Sequence, residues 1–114
     1  MFIYLYVMKY GIAVSPIFEK QAERLNRKYP SIFADIKKLG DDLKTNPFQG
    51  RALGKDLYKV RMKIASKGQG KSGGARVITC VKVVENKIIL LAIYDKSEQE
   101  TMTIKELSEL LKIK

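Results

Sequence analysis

The sequence predicts an α+β domain: two N-terminal antiparallel helices packed on a small, mainly antiparallel twisted sheet, with one more helix at the C-terminus. Three observations predict it. Apolar residues recur at helical spacing through residues 16–43, broken only around Pro30. Strand-like runs follow between residues 57 and 94, separated by glycine-rich or polar turns. A capping signature, Thr103-Ile104-Lys105-Glu106, then reopens the helical period near the end. The 114 residues suit a single domain, taken as 1–114, long enough to bury a core.

Ile12-Ala13-Val14 and the residues before it read as a first strand. Ser15-Pro16 supplies an N-cap with proline at the first helical position, and Glu19 sits in the first turn. Phe18, Ala22, Leu25 and Tyr29 then share one face of a helix over 16–28. Pro30 ends it, and Ser31 can cap a second helix whose stripe is Ile32, Ile36, Leu39 and Leu43, closed by Asn46-Pro47. So short a link implies an antiparallel helical hairpin. After a loop through Gly50 and Gly54, strands are expected at Leu57–Ile64, Ala75–Val84 and Lys87–Tyr94, the last two joined by a tight turn at Glu85-Asn86-Lys87. The run Ile88–Ile93 is apolar on both faces, as a central strand would be. Ile104, Leu107, Leu110 and Leu111 line the terminal helix. The predicted order is β-α-α-β-β-β-α.

Hydrophobic residues at 46% and charged residues at 30% fit a soluble globular protein. The opening Phe2–Val7 is apolar, but it is too short to span a bilayer and lacks a basic lead and a small-residue cleavage site. Met8 is an equally good start, which would make residues 1–7 an N-terminal extension. Cys80 stands alone in an apolar run, so no disulfide can form within the chain, and a buried hydrophobic role in a reducing cytoplasm is expected. Histidine is absent, which removes the commonest general base and the commonest zinc ligand. No metal or cofactor is expected. Chemistry must come from Lys, Arg, Tyr, Asp or Glu.

Charge is the most informative feature. From Lys55 to Arg76 the chain carries seven basic residues against the single acid Asp56, more than half of its net +10. In the first long strand Tyr58, Val60, Met62 and Ile64 can face a core while Lys59, Arg61 and Lys63 face outward. Arg76 opens the neighbouring strand and can join the same face, which is expected to stand open because the helices cover the other. A row of one sign with no interleaved acid suits a polyanion, RNA or DNA first. Gly68-Gln69-Gly70-Lys71-Ser72 invites comparison with a phosphate-binding P-loop, but Ala65 stands where the first glycine belongs. The segment also leads into a β-branched run, where a P-loop would lead into a helix. It reads as a basic hairpin tip, able to lay N–H groups and lysines along a phosphate backbone. Tyr94-Asp95-Lys96-Ser97-Glu98 leaves the last strand; the tyrosine could stack on a base, and Lys96 or Glu98 could move protons.

Three segments carry a family resemblance: Leu57-Tyr58-Lys59-Val60-Arg61, the stretch from Ala65 to Ile78 with its Lys-Gly-x-Gly-Lys-x-Gly-Gly-x-Arg core, and Ile93-Tyr94-Asp95-Lys96-Ser97-Glu98-Gln99-Glu100. Over about residues 9–112 the chain resembles the RelE/ParE superfamily of toxins, most closely its RelE- and HigB-like members from prokaryotic toxin–antitoxin modules. The resemblance implies two helices over a curved sheet and a messenger-RNA endonuclease acting in the ribosomal A site, restrained by a cognate antitoxin. Cleavage would proceed by attack of a ribose 2′-hydroxyl on the adjacent phosphate. Lys59 and Arg61 match the family's basic pair and Arg76 the arginine opening its next strand. This implies phosphate stabilisation by Arg61 and Arg76, and a general-base or charge-neutralising role for Lys59. Well-known members carry a further arginine after the last strand and a later tyrosine. Here Ser97 stands near the first and no tyrosine comes after Tyr94, so Tyr94, Lys96 and Glu98 all remain candidates for the acid. Lys63, Lys67, Lys71 and Lys96 are candidate contacts to RNA or the ribosome. The alternatives are a ParE-like gyrase inhibitor, to which a constellation of Lys59, Arg61 and Arg76 would be unnecessary, and a noncatalytic RNA-binding relative.

Overall fold

The Ser15 hydroxyl welds the first helix to the sheet. It accepts from the Phe18 amide at 3.0 Å and donates to the Leu91 carbonyl at 2.9 Å. In the computed structural model, which describes residues 10–68, 70, 73–98, 106 and 109, this cap joins strand β1 (Gly11–Val14) to helix α1 (Pro16–Lys28). Helix α2 comes next (Ile32–Thr45), then β2 (Arg51–Gly54), β3 (Leu57–Met62), a 3-10 turn (Ala65–Lys67), β4 (Ala75–Lys82) and β5 (Lys87–Asp95). The five strands form one sheet in the order β1-β5-β4-β3-β2. All neighbours are antiparallel except β1 with β5, which makes the sheet mixed.

The apolar stripes of both helices meet one sheet face. Phe18, Ala22, Leu25, Ile32, Leu39 and Leu43 bury against Val60, Met62, Val77, Val81, Leu90 and Ile93. Gln21 adds a polar weld by accepting from the Ile93 amide at 2.9 Å, beyond the point where β1 pairing ends at Leu90. That amide would otherwise be an orphan donor near the core. β5 is an interior strand, as its two-sided apolar run predicts.

Four expectations need correction. A strand was not foreseen at β2. Its hairpin to β3 turns through Lys55 and Asp56, with φ of 54° and 66°, the left-handed pair a two-residue turn requires. Lys-Asp lacks the Asn-Gly or Asp-Gly signature by which such turns are read. Second, Ser31 stands at the N-cap of α2 as expected, but its side chain makes no capping bond. Its backbone is already helical, and its hydroxyl donates to Asp35 Oδ2 at 2.7 Å and bonds the Ser66 hydroxyl at 2.9 Å. Third, the strands expected to reach Ile64 and Val84 stop at Met62 and Lys82, while β5 runs one residue further, to Asp95. Fourth, the sheet face away from the helices is open only in part. Leu57, Ile78, Cys80, Leu91 and Ala92 form a second buried cluster there, while Arg61 at the cationic end is exposed. The C-terminal helix lies outside the described residues except for Glu106 and Glu109, both helical.

Candidate functional site

Register builds the site. On β3 the outward residues Lys59 and Arg61 alternate with buried Val60 and Met62, and Arg61 lies directly opposite Arg76 of β4. On the other side Arg51 of β2 lies opposite Lys59. Facing side chains on paired strands stand about 5 Å apart at Cβ, so four cations from three strands share one patch. They line a cleft of about 560 Å³ together with Gln49 and Lys96, the latter carried by the turn after β5. Among the described residues no acidic side chain lines it.

Two glycines allow the approach. Gly50 has φ of +89°, and a Cβ there would sit 2.3 Å from the Lys59 carbonyl oxygen. Only a residue without a side chain lets Gln49 and Arg51 lie this close to β3. At Gly74 a Cβ would fall 2.2 Å from the Met62 carbonyl oxygen, so the β3–β4 connection closes only with glycine. The Gly74 carbonyl in turn accepts from the Lys96 amide at 3.0 Å, which holds the Lys96 turn against the cleft.

Crowding of like charge sets the electrostatics. Burial, then Arg51, Arg76, Lys96 and Arg61, all press the Lys59 ammonium below the ordinary lysine value. Burial and Arg61 likewise oppose the charge on Arg76, partly offset by Tyr94. Arg76 is only 6% exposed, and its Nη1 donates to the Ala75 carbonyl at 3.1 Å, which fixes the guanidinium in place. Such an arrangement is built to receive an anion, because a phosphate relieves every one of these repulsions at once.

Behind the cleft a buried carboxylate holds the frame. Asp95, wholly buried, accepts from Lys67 Nζ at 2.7 Å, from the Tyr29 hydroxyl at 2.7 Å, and from the Ser97 amide and hydroxyl at 3.0 and 2.9 Å. Burial alone would raise its pKa. The bonds from Lys67, Tyr29 and Ser97 outweigh that and hold the carboxyl well below the usual range. The Lys67 ammonium also lies 5.7 Å from the centre of the Tyr29 ring. One side chain thus ties together the end of α1, the 3-10 turn and the turn bearing Lys96.

The residues singled out from sequence separate accordingly. Lys59, Arg61, Arg76 and Lys96 converge on the cleft. Tyr94 lies in register beside Arg76, but its ring is buried and its hydroxyl finds no hydrogen-bond partner among the described residues; burial, chiefly, raises its pKa. It does not line the cleft. Glu98 points elsewhere, in an exposed ion pair with Arg24 at 3.5 Å. Lys63 leaves the cationic row because β3 ends at Met62, and it lines a neighbouring cavity. Lys67 is occupied by Asp95, so it holds the fold instead of offering a free charge at the hairpin tip. Lys71 lies outside the described residues. Arg51 and Gln49 were missed, and their only sequence signal was glycine at positions 50 and 54, read as a plain loop.

Among the described residues no group of three or more His, Cys, Asp or Glu side chains is placed to hold a metal ion. No helix of the described residues is long and apolar enough to cross a membrane. The structure resembles that of a mutant of E. coli toxin RelE in the free state, with a TM-score of 0.63 at 18% identity over 92% of this chain and 97% of that one. It also resembles a chain of the toxin–antitoxin complex RelBE2 from Mycobacterium tuberculosis, with a TM-score of 0.57 at 12% identity over 79% of this chain and 94% of that one. At such identities the likeness establishes the fold: two helices on a five-stranded mixed sheet. The family model for the RelE toxin of the RelE / RelB toxin–antitoxin system matches residues 18–114, which include the strands that build the cleft. The chain belongs to the RelE toxin family of toxin–antitoxin systems.

Proposed function

We propose that this chain is a ribosome-dependent messenger-RNA endonuclease, held inactive in the cytoplasm by a cognate antitoxin. The observation that supports this reading best is the convergence of Arg51, Lys59, Arg61, Arg76 and Lys96 on one open cleft, with no acid lining it among the described residues. In the reaction the ribose 2′-oxygen attacks the adjacent phosphorus and the bond from phosphorus to the 5′-oxygen breaks. The products are a 2′,3′-cyclic phosphate and a free 5′-hydroxyl. Lys59, which burial and its cationic neighbours make easier to deprotonate than an ordinary lysine, accepts the 2′-hydroxyl proton. Arg61 and Arg76 neutralise the charge that builds on the phosphorane. Lys96 is the acid candidate at the departing oxygen, because it lines the cleft while Tyr94 is sealed and Glu98 is turned away. Fixed strands carry three of these groups, so little reorganisation is needed at the moment of reaction.

A relative in the RelBE2 assembly is bound to its antitoxin. For this chain, at net +10, an acidic and partly disordered partner would bind the cationic cleft and fold as it does so. The test is induction of the chain without its partner, followed by mapping of RNA ends. New 5′-hydroxyl ends within translated codons are expected. Intact transcripts with broken chromosomal DNA would point to a gyrase inhibitor, and intact transcripts with intact DNA to a noncatalytic RNA binder.

A further inference from the structure

Among the described residues five cations line the cleft, and four of them stand on strands: Arg51 on β2, Lys59 and Arg61 on β3, Arg76 on β4. Backbone ladders to the neighbouring strands hold those four in place. Lys96 is different. It follows the last residue of β5, so no ladder fixes it. It also shares the cleft with four like charges, whose repulsion drives a loosely held ammonium out towards water.

The turn that carries Lys96 is fixed from both sides. Lys96 and Ser97 are its central pair, and the Glu98 amide closes it by donating to the Asp95 carbonyl at 3.0 Å. Ahead of the pair, the Lys96 amide donates to the Gly74 carbonyl at 3.0 Å. Behind Lys96, the amide and the hydroxyl of Ser97 both donate to Asp95 Oδ1, at 3.0 and 2.9 Å. The Ser97 oxygen accepts in turn from Lys67 Nζ at 3.3 Å. Asp95 is wholly buried and accepts from Tyr29 as well, so the anchor cannot drift. Resting on the nuclease reading, we propose that Ser97 is a positioning residue whose hydroxyl locks this turn, so that the Lys96 ammonium stands where the departing 5′-oxygen forms. As the bond from phosphorus to that oxygen breaks, Lys96 gives it a proton and is left as a neutral amine. Ser97 does not line the cleft, so it acts through Lys96. Without its hydroxyl the turn keeps its amide bonds but gains freedom, and the neighbouring cations carry Lys96 away.

The test loads ribosomes with a synthetic message in two forms, one with the ordinary linkage at the cut site and one with sulfur in place of the bridging 5′-oxygen. A thiolate is a far better leaving group than an alkoxide, so the sulfur linkage breaks without an acid. Purified wild type, Ser97→Ala, Ser97→Thr and Lys96→Ala are compared in single turnover. Ser97 is exposed, so its variants should keep the fold, and circular dichroism checks this. Ser97→Ala is expected to cut the ordinary linkage roughly 10- to 100-fold more slowly, as a small misplacement of a reacting group does, with little change in the ribosome concentration for half-saturation. It should cut the sulfur linkage at close to the wild-type rate. Ser97→Thr keeps a hydroxyl and should recover the ordinary rate. Lys96→Ala should show the same pattern, with a loss of about 10²–10⁴-fold on the ordinary linkage alone. If Ser97→Ala leaves the ordinary rate unchanged, or slows both linkages equally, the positioning role is overturned while the nuclease reading stands. An undiminished rate in Lys96→Ala overturns it too. If wild type cuts neither message, the nuclease reading falls and takes this inference with it.

Discussion

Replacing Lys67 by methionine should unfold this protein more readily and leave its affinity for RNA per folded molecule nearly unchanged. The Lys67 side chain is 11% exposed and its partner Asp95 is 0% exposed, at 2.7 Å. Methionine keeps most of the stem but strands a buried carboxylate with only Tyr29 and Ser97 as donors. Breaking a buried pair in this way costs about 3–5 kcal/mol, a large share of the roughly 5–15 kcal/mol that holds a domain together. At an unfolding entropy of about 2.1 cal/mol/K per residue, a chain of this length loses about 4 °C for each kcal/mol, so Tm should fall by roughly 12–20 °C. Thermal melts and urea titrations measure this directly. The double variant Lys67→Met/Asp95→Asn should recover part of the loss, because the uncompensated charge is gone while Tyr29 and Ser97 keep an acceptor. A melt within the roughly 0.5 kcal/mol typical of surface substitutions, combined with collapsed RNA binding, would refute the reasoning and restore Lys67 to the binding surface.

Other perturbations test the frame and the cleft separately. Arg61→Ala should lower the cleavage rate by about 10²–10³-fold with an unchanged melt, since Arg61 is exposed. Arg76→Ala should lose activity and stability together, because its side chain is buried and hydrogen-bonded. The cleavage rate should rise with pH along a limb below the ordinary lysine value of 10.5, as Lys59 loses its proton, and Arg51→Ala should move that limb to higher pH by removing a repelling charge. A limb insensitive to Arg51 would remove Lys59 from the base role. Gly50→Ala should cost about 1–3 kcal/mol and most of the activity, read by melting and by end mapping, because the new methyl group meets the Lys59 carbonyl. Acid stability depends on Asp95. Its depressed pKa contributes stability that is present above the unfolded value of 3.8 and is lost as pH falls through the lower folded value, so Lys67→Met should move the acid midpoint to higher pH.

Local chemistry made much of this molecule readable in advance. Ser15-Pro16 and the stripes through Phe18, Leu25, Ile32 and Leu43 dictate two helices because capping and 3.6-residue periodicity are properties of short segments. The alternation from Tyr58 to Met62 likewise dictates which side of β3 is cationic, since a pleat leaves no other choice. Arg76 could be assigned to the same face as Arg61 from the sequence, but the register that sets the two directly opposite each other came only with the folded sheet. What no segment contains is the company a side chain keeps. Lys63 and Lys67 are as basic as Lys59, yet the end of β3 sends one into a neighbouring cavity, and a carboxylate 28 positions along the chain captures the other. Arg51 enters the site only because a two-residue turn with left-handed backbone folds β2 onto Lys59. Charge is written residue by residue, but whether it is spent inside the frame or presented to a ligand depends on distances between strands that only folding brings together.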